Sequence, residues 1–160
     1  MNNITEMNQL DRSDRAILRE LQLDGRISNK ALAAKVHLSP PACHARLKRL
    51  TEEGYIRGYK PVLDRRKLGL DNLCFIELSL EVHQRERIGE ILESVVAFPE
   101  VLECYHLTGE YDYLLKVAVR DTDALHQFIS GCLVPVPGIA RVHTSLVLKE
   151  IKSAGVFPVE

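Results

Sequence analysis

Between residues 26 and 60 the chain carries Arg26, Lys30, Lys35, Arg46, Lys48, Arg49, Arg57 and Lys60, opposed only by Glu52 and Glu53. Closely grouped lysines and arginines suit a polyanion, because each can neutralise one of its regularly spaced charges. The excess is regional. Residues 1–70 hold 14 Lys/Arg against 8 Asp/Glu, and residues 71–160 hold 7 against 14, all within a net charge of −1. A solvated basic surface would show the same count, so charge alone does not decide; the elements that carry it must.

Other chemistry is poorly supported. Cys43, Cys74, Cys104 and Cys132 lie about thirty residues apart and never as CxxC, and the six histidines are scattered. Only Cys43-His44 and Cys104/His106 approach ligand spacing, so no metal site and no cofactor are expected. The cysteines read as reduced thiols of a cytosolic protein. No apolar run approaches the ~20 residues of a membrane span, and no signal peptide is expected at the N-terminus. Ser145 and His143 are read as pointing to opposite faces of one strand. The loop His83–Arg87 lacks the glycine of an anion-binding catalytic loop, so the reading is of a protein that is not an enzyme.

Three helices position the basic stretch. Ser13 or Asp11 caps the first, which turns Ile17, Leu18 and Leu21 inward, and Asp24-Gly25 stops it through a left-handed glycine. Ser28 caps the second, Asn29 to Val36. His37-Leu38 is a short turn with His37 at positive φ, and Ser39 caps a third helix with Pro40 at its first position. This is a helix-turn-helix. Cys43, Leu47 and Leu50 pack inward; Pro41, Ala42, Ala45, Lys48 and Arg49 fall opposite, flanked by His44 and Arg46. Small residues permit close approach to a major groove, and cations reach phosphates or guanine edges. Duplex DNA is the expected partner, read by Ser39, Pro41, Ala42, His44, Ala45, Arg46, Lys48, Arg49 and Arg57. After Gly54-Tyr55-Ile56 a short strand is expected through Tyr59, giving a winged-type domain.

From Asn72 the period changes to two. Cys74, Ile76, Leu78, Leu80 and Val82 alternate with Phe75, Glu77, Ser79 and Glu81, as one strand face is buried. Residues 85–98 form a helix on Ile88, Ile91, Leu92 and Val95. Val101–Leu107 and Tyr113–Val119 are strands around the turn Gly109-Glu110-Tyr111-Asp112. A second helix uses Leu125, Phe128, Ile129, Cys132 and Leu133. Pro135-Val136-Pro137-Gly138 breaks it before a strand through Val142, Thr144, Leu146 and Leu148. The order βαββαβ is ferredoxin-like, making the chain α+β. One sheet face is left uncovered, with Phe75, Leu102, Cys104, Leu114, Ala118 and Val147 diluted by Glu77, Glu81 and Lys116, which predicts a homodimer. The expected divisions are a helix-turn-helix domain at 1–60, a linker at 61–71, a second domain at 72–152 and a tail at 153–160.

The stretches LDRSDRAIL (10–18), DGRISN (24–29), LSPPACHARLKRL (38–50), EEGYIRGY (52–59), LTGEYDYLL (107–115) and LVLKEIK (146–152) together resemble the Lrp/AsnC family of transcription regulators. The resemblance implies a cytoplasmic, sequence-specific DNA-binding regulator of amino-acid metabolism. Its second domain would sense a small effector, usually an amino acid, with dimers that build octamers. By motif position it places the effector at Gly109, Glu110, Tyr111 and Asp112, with Thr144 on the last strand. The chemistry is sound: N–H groups around a glycine turn hold a carboxylate, and an acidic side chain takes an ammonium. The same residues also suit an ordinary hairpin. His37, where the family commonly has glycine, and His44, where it commonly has an aliphatic residue, are departures.

Overall fold

The structure is a computed structural model that describes residues 10–81, 87–153 and 155–159. It divides into two compact units, one of residues 1–62 with 152–160 and one of residues 63–151.

In the first unit, α1 spans Arg12–Leu23, α2 Asn29–Lys35 and α3 Pro40–Glu52. Each begins where a side chain satisfies an N–H that the helix cannot. Asp11 is the first cap: its Oδ1 accepts from Asp14 N–H at 2.9 Å, and Asp14 Oδ2 accepts from Asp11 N–H at 3.1 Å, a reciprocal capping box. Ser28 Oγ accepts from Ala31 N–H and Ser39 Oγ from Ala42 N–H. Ile17, Leu32, Ala33, Cys43 and Leu50 close a core no more than 1% exposed. Burying each of the larger ones favours folding by about 1.5–3 kcal/mol.

His37 has φ 56°, as the turn requires. Gly25 does not adopt positive φ. A Cβ there would stand 3.3 Å from Cδ1 of Tyr59, so the glycine answers a close approach rather than a left-handed turn. The expected strand through Tyr59 does not form: the described residues offer it no partner strand, and Ile56 N–H bonds instead to Leu50 O at 3.2 Å. The tail packs on α1. Phe157 N–H donates to Gln22 Oε1 at 2.6 Å, Gln22 Nε2 donates to Phe157 O at 3.1 Å, and Arg19 Nη1 donates to Val159 O at 3.0 Å.

The second unit runs β1 Asn72–Leu80, α4 Ile88–Val96, β2 Val101–His106, β3 Tyr113–Val119, α5 Thr122–Gln127 and β4 Ile139–Leu146. After α5 the chain widens into a π-helical stretch, Phe128–Leu133. The sheet order β2-β3-β1-β4, antiparallel throughout, is the ferredoxin-like arrangement expected from the element order. Residues 63–71 of the expected linker belong to this unit, where Arg65 bonds to Glu150 and to the carbonyls of Leu70 and Asp71. The last strand stops at Leu146, leaving Leu148 exposed. Val82 and the loop residues 83–86 lie outside the described residues.

Cys74, Ile76 and Leu78 of β1, with Leu115 and Val117 of β3, form the core with Ile91 and Val95 of α4 and Phe128 and Leu133 of the π-helical stretch. The opposite sheet face is less apolar than expected. Cys104 pairs with Leu115 and packs on the core, so it leaves the open face. The cause is a register shift between Val101 and Glu103, which breaks the alternation along β2. Beside the expected Glu77 and Lys116, the open face carries Glu103, whose Oε1 lies 3.0 Å from Lys116 Nζ, and His143, whose Nδ1 lies 2.8 Å from Glu77 Oε2. Tyr105 OH donates to Glu103. Phe75, Leu102 and Tyr105 remain 36%, 51% and 48% exposed.

Candidate nucleic-acid interface and effector turn

The candidate DNA face is built on α3, whose start is fixed from two directions. Ser39 supplies the cap, and Asn29 Nδ2 of α2 donates to Pro40 O at 2.9 Å. Cys43 and Leu50, both 0% exposed, set the roll of the helix against the core. Pro41, Ala42, His44, Ala45 and Lys48 are then all exposed, as are Ser39 before the helix and Arg57 beyond it. Lys48 Nζ has only a loose partner, Glu52 Oε1 at 3.7 Å, with both side chains mostly in solvent. Exposed pairs of this kind contribute little, so the ammonium is free to exchange its partner for a phosphate.

Arg46 and Arg49 go elsewhere. Arg46 Nη1 lies 2.5 Å from Asp11 Oδ2 and 2.8 Å from Asp14 Oδ1, and Arg49 Nη2 lies 2.6 Å from Asp14 Oδ2. Asp14 is 1% exposed, the buried charged residue of the described chain. Burial pushes its carboxyl up, but hydrogen bonds from Arg49, from the Asp11 N–H and from Arg46 outweigh that and hold it below the usual carboxylate range. Asp11 is lowered too, first by the Asp14 N–H and then by Arg46. The expectation that Arg49 faces outward is therefore corrected. A helical wheel places Cα atoms; the long guanidinium arm follows its counter-ion, and this one lies on α1. From the sequence Asp11 and Asn29 read only as helix-start residues, and Asp14 is not singled out. The visible signal was two pairs at spacing three, Asp11/Asp14 and Arg46/Arg49, of opposite charge.

The turn between β2 and β3 brings its residues against β1 and the start of β4. Leu107 N–H donates to Asp112 O, and Asp112 N–H to Leu78 O, each at 2.8 Å. Asp112 Oδ2 accepts from Leu80 N–H at 2.8 Å, where β1 has its register shift against β4. Gly109 has φ 141°, and a Cβ there would meet nothing within 4 Å. The Tyr111 ring stacks on His143 with centroids 5.9 Å apart, and Glu110 Oε1 is 3.6 Å from Arg141 Nη1. Thr144 pairs with Ile76 on the helix-covered side of the sheet, half-buried, while its neighbour His143 stands on the open side.

Ser145 and His143, two residues apart, share the open side, opposite Phe75 and Glu77. The expectation that they point to opposite faces is corrected, because residues two apart on a strand share a face. No hydrogen bond joins them among the described residues, which also hold no group of three metal-ligating side chains and no helix long and apolar enough to cross a membrane.

Comparison with known proteins follows this division. Residues 10–57 match the winged helix-turn-helix DNA-binding family, and residues 73–157 match the Lrp/AsnC ligand binding domain. Transcriptional regulator AzlB of Bacillus subtilis is 41% identical over 151 residues, covering 94% of this chain and 96% of that one. The leucine-responsive regulatory protein of Escherichia coli K12 is 38% identical, covering 91% and 88%. A transcriptional regulator of Neisseria meningitidis, solved as an L-Met complex, superposes with a TM-score of 0.90 at 37% identity, covering 94% and 97%. Escherichia coli AsnC superposes with a TM-score of 0.86 at 28% identity, covering 94% and 99%. With a capped helix-turn-helix in one unit and a ferredoxin-like sheet in the other, the chain belongs to the Lrp/AsnC family of transcriptional regulators.

Proposed function

We propose that this regulator reads duplex DNA with the exposed face of α3 and answers to a free amino acid held at the Gly109–Asp112 turn. One observation carries the DNA half: Pro41, Ala42, His44, Ala45 and Lys48 stand exposed on a helix whose opposite side buries Cys43 and Leu50. Pro41, Ala42 and Ala45 let the helix enter the major groove, His44 meets a base edge, and Lys48 with Arg57 meets phosphates. Ser39, exposed at the helix N-terminus, donates its hydroxyl to a backbone phosphate.

The effector half rests on the turn. Exposed N–H groups beside Gly109 take the carboxylate, the Asp112 carboxylate takes the ammonium, and Glu110, Tyr111 and Thr144 shape the surroundings. The L-Met complex of the similar Neisseria regulator supports an amino acid as the ligand class. A second copy covers the open sheet face through Phe75, Leu102 and Tyr105, and such dimers assemble further, to octamers. The protein acts in the cytoplasm, has no catalytic residue and needs no cofactor beyond its effector.

Pull-down of genomic duplexes by the full chain, with and without each amino acid, tests this directly. A recurrent motif whose recovery changes with one amino acid is expected. Recovery of duplexes with no common motif would contradict the reading.

A further inference from the structure

Resting on the reading that α3 enters the groove, we propose that Asp14 is a positioning residue that withholds Arg46 and Arg49 from duplex phosphates. Base-reading side chains then face the DNA while two of the strongest phosphate binders of α3 do not.

Asp14 Oδ1 accepts from Arg46 and Oδ2 from both Arg49 and the Asp11 N–H, so both carboxylate oxygens are occupied in a site 1% exposed. The two arginine side chains are 31% exposed against 69% for Lys48. Through their ion pairs with Asp14, the Arg46 and Arg49 guanidinium groups lie on the side of α3 that meets α1, whereas Pro41, Ala45 and Lys48 stand exposed. For either guanidinium to swing to a phosphate, a buried carboxylate must lose part of its counter-charge. That loss outweighs a contact made in high-dielectric, ion-screened surroundings.

The consequence is selectivity. Sequence-independent affinity rises with the number of phosphates neutralised, each adding about 0.9 to the slope of log affinity on log salt. Two guanidinium groups held on α1 lower that background without altering contacts to base edges. Asp14 thus fixes the direction of the reading helix and trims its unspecific grip in one arrangement.

The test measures salt dependence of binding to a random-sequence duplex and to a selected duplex, using the full chain. Asp14→Asn keeps the shape and removes the charge. Folded by its thermal transition, it is expected to bind random duplex more tightly, with a slope steeper by about 0.9 as Arg49 is released while Asp11 still pairs Arg46, and to lose discrimination between the duplexes. A folded Asp14→Asn protein with the parent's slope would overturn the proposal. Should that variant not fold, Arg49→Gln decides, because Arg46 still pairs Asp14 in it. An unchanged slope is expected; a slope reduced by about 0.9 would place Arg49 on a phosphate and overturn the proposal. Lys48→Ala is the control for the underlying reading, with a slope lower by about 0.9 on both duplexes. If Lys48→Ala leaves the slope intact, α3 does not lie in the groove, a failure distinct from that of Asp14.

Discussion

Asp112 and Leu80 are joined through the carboxylate of one and the backbone of the other, Oδ2 accepting the N–H at 2.8 Å. The residue proposed to hold the effector's ammonium therefore also ties the turn to β1, and two substitutions separate the roles. Asp112→Asn keeps an acceptor for Leu80 and loses the charge. It is expected to weaken amino-acid binding by about 1.5–3 kcal/mol, roughly 10- to 150-fold, with the second unit's melting nearly unchanged. Asp112→Ala is expected to lose the ligand and about 1–2 kcal/mol of stability besides, because Leu80 N–H is orphaned. Calorimetry against the free amino acids checks both. Binding by Asp112→Asn as tight as the parent's would reduce the carboxylate to a turn-former.

Acid should loosen the first unit through Asp11 and Asp14. Both carboxyls are held below their ordinary values in the fold. An acid lowered on folding contributes stability that is complete above its unfolded pKa of about 3.9 and is lost as pH falls through the folded value. Stability of the first unit is thus expected to be flat above about pH 5 and to drop steeply below about pH 4. Asp14→Asn should flatten that drop. Chemical denaturation across this range is the measurement, and an acid limb as steep in the variant as in the parent would count against the pairing.

His37 bears φ 56° with an exposed side chain, so its ring returns little packing for the strain. Glycine adopts that backbone freely. His37→Gly should raise the stability of the first unit by about 0.5–1 kcal/mol, read by thermal unfolding. A loss of stability would show that the imidazole makes a contact that outweighs the strain.

Gln22→Ala removes both hydrogen bonds to Phe157 and should release the tail. Because both are solvent-exposed, the cost is about 0.5–1.5 kcal/mol in the first unit. Proteolysis of the tail, faster in Gln22→Ala than in the parent, reports the release. Equal rates would mean that other contacts hold it.

The helices were legible because their signals are local: Asp11, Ser28 and Ser39 each cap within three residues, and His37 sits in a turn too short for any other backbone. The sheet order followed from alternation and element order alone. What escaped was non-local. Cys104 changed sides because a bulge in β2 shifts the parity, and no residue type announces that bulge. The strand through Tyr59 had the right residues but no neighbour to pair with. Arg49 was placed by its Cα, whereas its guanidinium follows Asp14, thirty-five residues earlier. In the Gly109–Asp112 turn the residue types were readable, but the hydrogen bond from Leu80 N–H to Asp112 depends on where β1 ends.

The most direct measurement compares the duplexes selected from a random pool by the parent and by His44→Ala. If the exposed face of α3 reads the groove, the parent selects two half-sites about one helical turn, or a multiple, apart. His44→Ala should then lose its preference at one position in each half-site and keep the rest. An identical motif from His44→Ala and from Lys48→Ala, with affinities equal to the parent's, would contradict the placement of this helix on DNA.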